Sequence, residues 1–160
     1  MTNTQTFGFT INGEDKTLSF PADASLLRVL RDAGYTEVHN GCETGECGAC
    51  VVMLNGKTVN SCMVLAASAQ GGEILTVRAL GDVHNPHPIQ RAFAESGAVQ
   101  CGFCTPGQIL SAYALLLANP DPTRDQITKA LDGNICRCTG YKKIIEAVEL
   151  AAVKMREVSE

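Results

Sequence analysis

The 160-residue chain has no tryptophan, and aromatic residues make up only 5% of it. Aliphatic side chains and alanine must therefore form most of the core, and the 45% of residues that are hydrophobic are typical of a globular protein. Positive charge is also scarce, because 13 basic residues face 17 acidic ones and leave a net charge of −4. This sign is wrong for a protein that neutralises phosphates, so we expect no nucleic-acid partner.

Long apolar runs are missing as well. The most apolar stretch, ILSAYALLLA at residues 109–118, has about half the length that a membrane-spanning helix needs. The first residues, MTNTQTFGF, do not contain the basic segment and following apolar segment of a secretory signal. We therefore expect a cytoplasmic protein with no transmembrane segment.

Cysteine, by contrast, is abundant, with eight residues. In a reducing compartment such a count indicates metal binding rather than a disulfide framework. The spacing divides the eight into a first set with the pattern C-x4-C-x2-C-x11-C and a second set with the pattern C-x2-C-x31-C-x-C. The first set is Cys42, Cys47, Cys50 and Cys62, and the second set is Cys101, Cys104, Cys136 and Cys138.

The first set opens with the C-x4-C-x2-C spacing of plant-type ferredoxins, which hold a [2Fe–2S] cluster. Three of its cysteines lie in the stretch GCETGECGAC at 41–50, where Gly41, Gly45 and Gly48 permit left-handed turns that aim backbone N–H groups at sulfur. A hairpin is expected to bring back the fourth ligand, Cys62. Zinc stays open as an alternative, although zinc sites more usually carry C-x2-C pairs.

The second set is less specific by itself, but its two loops contain glycine and adjoin predicted helices. Thr105 with Gln108, and Thr123 with Gln126, form capping-box sequences, which predict helices over 106–118 and 124–132, the latter ending at Gly133. The four cysteines would then lie at helix ends, where the dipole of a helix N-terminus favours the negative charge of a cluster.

Two further helices are predicted over 88–97 and 141–158, where apolar residues recur at helical spacing. The first half of the chain instead predicts a mixed sheet with one helix. Two strands flank a turn at 13–15, and a helix over 25–34 is capped by Asp23 or Ser25. A second hairpin is expected at the dipeptide Asn55-Gly56, and a final strand follows it.

These elements predict the fold class α+β with two domains. The boundary is expected in the segment 78–88, which has two prolines and no apolar periodicity. The first domain would be a ferredoxin-like 2Fe-2S domain over residues 1–78. The second, over residues 79–160, would be a helical metal-binding domain.

Four motifs follow one another along the chain: GCETGECGAC, HPIQRAF, QCGFCTPG and GNICRCTGY. Together with Cys62 they resemble the iron–sulfur subunit of the xanthine dehydrogenase and aldehyde oxidoreductase family of molybdenum hydroxylases, over essentially the whole chain. The resemblance implies an N-terminal β-grasp domain that holds one [2Fe–2S] cluster. It also implies an all-α four-helix bundle that holds a second cluster, with all eight cysteines as ligands.

The same resemblance implies that this chain has no catalytic residue and no substrate site. A molybdopterin-binding large subunit would hydroxylate a purine, another N-heterocycle or an aldehyde, and an FAD-binding medium subunit would receive the electrons. Electrons would pass from molybdenum to the second cluster, then to the first, then to FAD. Gln100 would hydrogen-bond the pterin, and Cys138 would be the ligand nearest to it. The expected assembly is a heterotrimer, and whether it doubles is left open.

Two other functions are weighed against this one. A stand-alone two-cluster ferredoxin would normally be more acidic, in order to dock on basic partners. A zinc-binding interaction module would use the same thiolates without any redox change. The sequence does not choose a substrate, because the substrate contacts would lie on another chain.

Four basic residues are not needed as ligands. His39, His84 and His87 have no spacing to cysteine that indicates a mixed site, and we expect them in loops or interfaces. Arg137 lies between two cysteines of the second set, where its charge would raise the potential of the cluster. A position in solvent or at a subunit interface is the equal alternative for this arginine.

Overall fold

The computed structural model describes residues 4–159, and its first half is built around a five-stranded mixed sheet. The strands are β1 (Thr4–Ile11), β2 (Glu14–Pro21), β3 (Val51–Leu54), β4 (Lys57–Asn60) and β5 (Glu73–Leu75). Their order in the sheet is β2-β1-β5-β3-β4. The pair β1 and β5 is parallel, and the other neighbouring strands are antiparallel.

Both predicted hairpins are present, and both turn at an Asn-Gly dipeptide. Asn55 and Gly56 have φ angles of 50° and 76°, the left-handed conformation that a two-residue hairpin turn requires. The first hairpin turns at Asn12 and Gly13, with φ angles of 54° and 81°. The prediction of a turn at 13–15 was therefore wrong by one position, because the next two residues already pair in β2.

The first helix, α1 (Leu26–Asp32), lies against the sheet. Its N-cap is Ser25, whose hydroxyl accepts from the N–H of Arg28 at 3.3 Å, so the cap is the second of the two predicted candidates. The helix contributes four aliphatic residues to a core that it shares with alternating residues of β1 and with Phe20 of β2. The buried residues of α1 are Leu26, Leu27, Val29 and Leu30.

The second half of the described chain is helical. Its helices are α2 (Pro88–Glu95), α3 (Thr105–Ala118), α4 (Arg124–Ala130) and α5 (Lys142–Ser159). All four predicted helices are thus confirmed, with ends that differ by one or two residues. They share a second core, which includes Phe93, Ile109, Ile127, Ile144 and Val148.

Several predicted helix ends were wrong, among them the start of α3 and the ends of α2 and α4. Thr105 is the first residue of α3 rather than its cap, and the N-cap Cys104 makes no side-chain capping bond. The predicted partner, Gln108, is buried and donates instead to the backbone oxygen of Asn134 at 2.8 Å. Helix α4 ends at Ala130, two residues before the predicted end.

The predicted capping box of α4 is confirmed, and α2 has a box that the sequence did not indicate. Thr123 accepts from the N–H of Gln126, and the side chain of Gln126 accepts from the N–H of Thr123. At α2 the side chain of Gln90 accepts from the N–H of His87, and His87 Nδ1 accepts from the N–H of Ile89. Histidine is outside the usual set of N-cap residues, so this cap has no standard sequence signal.

A third group of buried residues joins the two halves. Leu110 of α3 packs with Val51 and Met53 of β3, and Tyr113 packs beside them. The sheet and the helices therefore meet through apolar contacts as well as through the loops described below. None of the helices within residues 4–159 combines the length and the apolar character needed to cross a membrane.

Leu110 provides a test of this apolar junction, because its side chain is 1% exposed. The substitution Leu110→Ala should lower the free energy of unfolding by about 3 kcal/mol, since it removes buried methyl groups and leaves a cavity. Leu117→Ala is the matched control, in the same helix but with a side chain that is 57% exposed. Urea unfolding followed by circular dichroism should show a change for the control of at most about 0.5 kcal/mol. Equal effects of the two substitutions would contradict the junction.

Candidate metal centres

Three cysteines of the first set lie on a loop that folds back on itself. Left-handed residues at Glu43, Gly45 and Gly48, with φ angles of 56°, 81° and 68°, make the tight curvature. The backbone N–H groups of Thr44 and Cys47 both donate to the sulfur of Cys42, each at 3.4 Å. The prediction that this loop aims N–H groups at sulfur is therefore confirmed for Cys42.

Gly41 is required for a different reason from the predicted one. Its backbone is not left-handed. A Cβ atom at this position would lie 2.8 Å from Cys47 Sγ and 3.4 Å from the side chain of Ala49. The residue therefore leaves room for a sulfur atom, and a left-handed turn at Gly41 was a wrong prediction.

The hairpin of β3 and β4 returns Cys62 to this loop, as predicted. Val51 pairs with Asn60, so the residues that flank the hairpin, Cys50 and Cys62, are brought to the same end. The backbone oxygen of Cys50 accepts from the hydroxyl of Ser61 at 2.7 Å. Asn60 also donates to the backbone oxygen of Gly45 at 2.7 Å and so ties the loop to the strand.

The second set is assembled from two loops at the ends of helices. Cys101 and Cys104 flank Gly102, which is left-handed with a φ angle of 84°, and Cys104 lies at the N-terminus of α3. The sulfur atoms of Cys138 and Cys101 lie 3.7 Å apart. The fourth cysteine, Cys136, lies near enough to Cys104 to help raise the pKa of that thiol.

Two polar side chains hold the loop around Cys136. The hydroxyl of Thr139 donates to Cys136 Sγ at 3.0 Å. The N–H of Cys136 donates to the hydroxyl of Tyr141 at 2.8 Å, and Tyr141 has a left-handed φ angle of 66°. Neither residue was predicted to have a role, although both lie in the motif GNICRCTGY.

The pKa values of the thiols differ with their surroundings. Hydrogen bonding by Thr44, and then by the N–H of Cys47, lowers the pKa of Cys42 to about 6. Burial raises the pKa of Cys62 to about 11, and the neighbouring Cys50 adds to the shift. Burial likewise raises the pKa of Cys104 to about 12. Binding a metal as thiolates would therefore release protons from the buried cysteines.

The thiols of each set lie near one another as pairs of neighbours. The sulfur atoms of Cys101 and Cys138 are 3.7 Å apart. Cys42 helps to raise the pKa of Cys47, Cys50 that of Cys62, and Cys136 that of Cys104. Within residues 4–159, no three His, Cys, Asp or Glu side chains converge closely enough to hold one metal ion. A zinc ion needs four ligands around one centre. In a [2Fe–2S] cluster two cysteines bind each iron, so two neighbouring pairs fit this group.

The remaining predicted residues lie at or near the surface. Gln100 is exposed beside Cys101, and Arg137 is exposed between its two cysteines. His87 caps α2 and His84 lies in the loop before it, as expected for residues outside the metal sites. His39 stacks on the ring of Phe103, with 4.8 Å between the ring centroids, and so connects the two cysteine regions.

Comparison with protein families assigns each set of cysteines to a known type of domain. A model described as a 2Fe-2S iron-sulfur cluster binding domain matches residues 9–76, which contain the first set. A second model, described as a [2Fe-2S] binding domain, matches residues 76–149, which contain the second set.

Two curated relatives are iron–sulfur subunits of similar length. The nicotinate dehydrogenase small FeS subunit of Eubacterium barkeri is 48% identical over 150 residues, which are 93% of this chain and 96% of the relative. The xanthine dehydrogenase iron-sulfur-binding subunit of Escherichia coli O157:H7 is 43% identical over 147 residues, which are 91% and 92% of the two chains. The chain belongs to the family of small iron–sulfur subunits of molybdenum hydroxylases.

A solved structure supports the same assignment for this small iron–sulfur subunit. The aldehyde oxidoreductase from Desulfovibrio gigas matches it with a TM-score of 0.92 and 42% identity, over 96% of this chain and 17% of that one. In that protein the small subunit corresponds to one part of a longer polypeptide.

Substitution of Gly41 tests the space that Cys47 needs. In the apoprotein the sulfur can turn away from an added methyl group, whereas a sulfur bound to iron cannot. Gly41→Ala should therefore fold but retain at most about half of the iron of the unchanged subunit, because one cluster is lost. The control is Gly8→Ala, where an added Cβ would meet nothing within 4 Å. Normal iron content in Gly41→Ala, measured with acid-labile sulfide, would contradict this role.

Proposed function

We propose that this chain is the electron-transfer subunit of a molybdenum hydroxylase and that its eight cysteines are the ligands of two [2Fe–2S] clusters. The first set would hold one cluster and the second set the other. The observation that carries the proposal is that the four thiols of each set lie near one another within a region that matches a 2Fe-2S family model. When bound, each cluster supplies one-electron redox chemistry.

The residues around the sulfurs are suited to negative charge. The N–H groups of Thr44 and Cys47 and the hydroxyl of Thr139 all donate toward cysteine sulfur. Such hydrogen bonds stabilise the reduced, more negative state and thereby help to set the reduction potential. Cys104 lies at the N-terminus of α3, and the dipole of this helix also favours negative charge there.

The second set of cysteines also lies beside a surface that would bind the large subunit. Cys101 and Cys138 are exposed, and three exposed apolar side chains, Val99, Phe103 and Ile135, lie within two residues of cysteines of the same set along the chain. Exposed apolar residues grouped in this way mark an interaction surface. We place the molybdopterin-binding large subunit here, with Gln100 and Cys138 facing the pterin. Gln100 is free to do so because it is exposed, and its amide offers both donors and an acceptor.

The FAD-binding medium subunit is assigned to the first set. Met63 and Leu65, which follow Cys62, are exposed apolar residues, and the side chain of Met63 lies against Gly45 of the cysteine loop. Electrons would then travel from the molybdenum subunit through the second set, the first set and on to FAD. A heterotrimer of three different subunits completes this arrangement.

The two halves of the chain would form two separate domains. The sheet with α1 corresponds to a β-grasp domain over residues 1–78, and α2 to α5 correspond to a four-helix bundle over residues 79–160. The separate cores of the two halves and the meeting of the two family models at residue 76 support this division. A cytoplasmic location is proposed because cysteines that bind metal are typical of a reducing compartment.

Removing one ligand from each set tests the relay. In the assembled complex, Cys47→Ser should eliminate one of two EPR signals and Cys104→Ser the other. Substrate should still reduce molybdenum in both variants, while reduction of FAD slows strongly because the path to it is broken. Stopped-flow absorbance at flavin wavelengths measures this step. Full turnover by either variant would refute the relay.

Thr139 tests how the chain tunes the second set. The substitution Thr139→Val keeps the branched shape but removes the hydroxyl that donates to Cys136 Sγ. The reduction potential of the corresponding cluster should become more negative, because its reduced state loses a hydrogen bond. Thr139→Ser keeps the donor and should have a potential close to that of the unchanged protein. Redox titration followed by EPR distinguishes these outcomes, and equal potentials in all three proteins would exclude the tuning.

A further inference from the structure

The two cysteine loops are joined directly by hydrogen bonds. The backbone oxygen of Cys47 accepts from the N–H of Ile135 at 2.9 Å. The next backbone oxygen, that of Gly48, accepts from the side-chain amide of Asn134 at 3.1 Å. Cys47 belongs to the first set, and Ile135 immediately precedes Cys136 of the second. These two hydrogen bonds form a junction that joins the loop of one proposed cluster site directly to the loop of the other.

Close packing at this junction excludes side chains. Gly48 is left-handed, and a Cβ atom on it would lie 2.2 Å from the backbone oxygen of Gly133. A Cβ atom on Gly107 would lie 2.2 Å from the backbone oxygen of Gly48. Both distances are far below van der Waals contact, and both neighbours are backbone atoms that cannot rotate away. The relative position of the two loops is thus fixed at short range.

Two buried polar side chains complete the junction. Asn134 is 3% exposed and Gln108 is 0% exposed. The amide nitrogen of Gln108 donates to the backbone oxygen of Asn134 at 2.8 Å, so a chain of hydrogen bonds runs from α3 through Asn134 to Gly48. The other end of Gln108, Oε1, has no hydrogen-bond partner.

This unpartnered oxygen is informative. Burying a polar atom without a partner costs free energy, and an apolar side chain would avoid that cost. Gln108 lies in a helix whose other large buried side chains are mostly aliphatic, Ile109, Leu110 and Leu116. Stability alone therefore does not explain well why position 108 carries a glutamine. The hydrogen bond from its amide nitrogen to Asn134 explains it better.

We propose that Asn134 and Gln108 are positioning residues, which hold the loop of the first set on the loop of the second and so fix the spacing and orientation of the two clusters. This inference rests on the proposed function. Electron transfer and magnetic interaction between two centres both fall steeply with separation. A junction that keeps the loops in register therefore affects the relay without contributing a ligand.

A contact at the rim of the junction supports the same two loops. His39 Nδ1 lies 2.7 Å from the backbone oxygen of Phe103, and the two rings are stacked. This contact is more exposed than the Asn134 contact, which is buried. Asn134 and Gln108 are therefore the better targets for substitution.

Two variants test the inference in the full complex. Asn134→Ala removes the donor to Gly48, and Gln108→Met removes the donor to Asn134 while keeping the length of the side chain. The controls are Asn85→Ala and Gln70→Met, at exposed positions of the same residue types. The measurements are iron and sulfide content, thermal unfolding, and the EPR splitting that arises when both clusters are reduced.

We expect both variants to keep two clusters and to show a smaller or broadened splitting, while the controls retain the splitting of the unchanged protein. Gln108→Met removes the unpartnered Oε1 of Gln108 but leaves the backbone oxygen of Asn134 without its donor. The two effects oppose each other, so the unfolding midpoint of this variant should stay within about 4 °C of that of the unchanged protein. A role in stability alone would lower the midpoint and leave the splitting unchanged.

An unchanged splitting in Gln108→Met with both clusters present would overturn the positioning role, even if Asn134→Ala failed to fold. Absence of iron and sulfide from the unchanged protein would instead refute the proposed function itself. The two failures are therefore distinguishable in the same set of measurements.

Discussion

In each set, cysteines on a short loop must be brought together with cysteines from a later part of the chain. The rest of the structure depends on this requirement. Cys62 returns to the first loop on a hairpin whose two-residue turn fixes the pairing of its strands. Cys136 and Cys138 return to the second loop after α3 and α4. Regular elements suit this task because they keep distant residues at a fixed separation. The sheet and the helices can therefore be understood as supports for two small groups of sulfur atoms.

Charge is the second constraint, since four thiolates within one small site repel one another and lose water. The protein stabilises the thiolate form of some of these cysteines but not of others. Hydrogen bonds favour the thiolate of Cys42, whose pKa is lowered to about 6, whereas burial favours the neutral thiol of Cys62, whose pKa is raised to about 11. The positive charge of bound iron would stabilise the thiolates that the protein itself does not stabilise, as is general for sites that bind metal through deprotonated thiols. Donors such as Thr139 then adjust the balance between the oxidised and reduced states.

Local patterns in the sequence were sufficient to predict that the cysteines form two sets of four, that the second half has four helices and that the first half has two hairpins. These features depend on short-range rules, such as Asn-Gly turns and the capping box of Thr123. Contacts between distant segments could not be predicted in the same way. The sequence suggested that Gln108 would complete a cap with Thr105, but tertiary contact with Asn134 determines its position instead. Gly41 was correctly singled out, but for backbone freedom rather than for the room that it leaves to Cys47.

Two binuclear iron–sulfur clusters held by these eight cysteines would give the protein a defined content of iron and sulfide. The most direct measurement is the content of iron, acid-labile sulfide and zinc in the anaerobically purified protein, together with EPR after reduction with dithionite. We expect about four iron and four sulfide per chain and two distinct signals from the reduced clusters. About two zinc per chain without sulfide and without a signal would refute the clusters and would indicate a structural metal module.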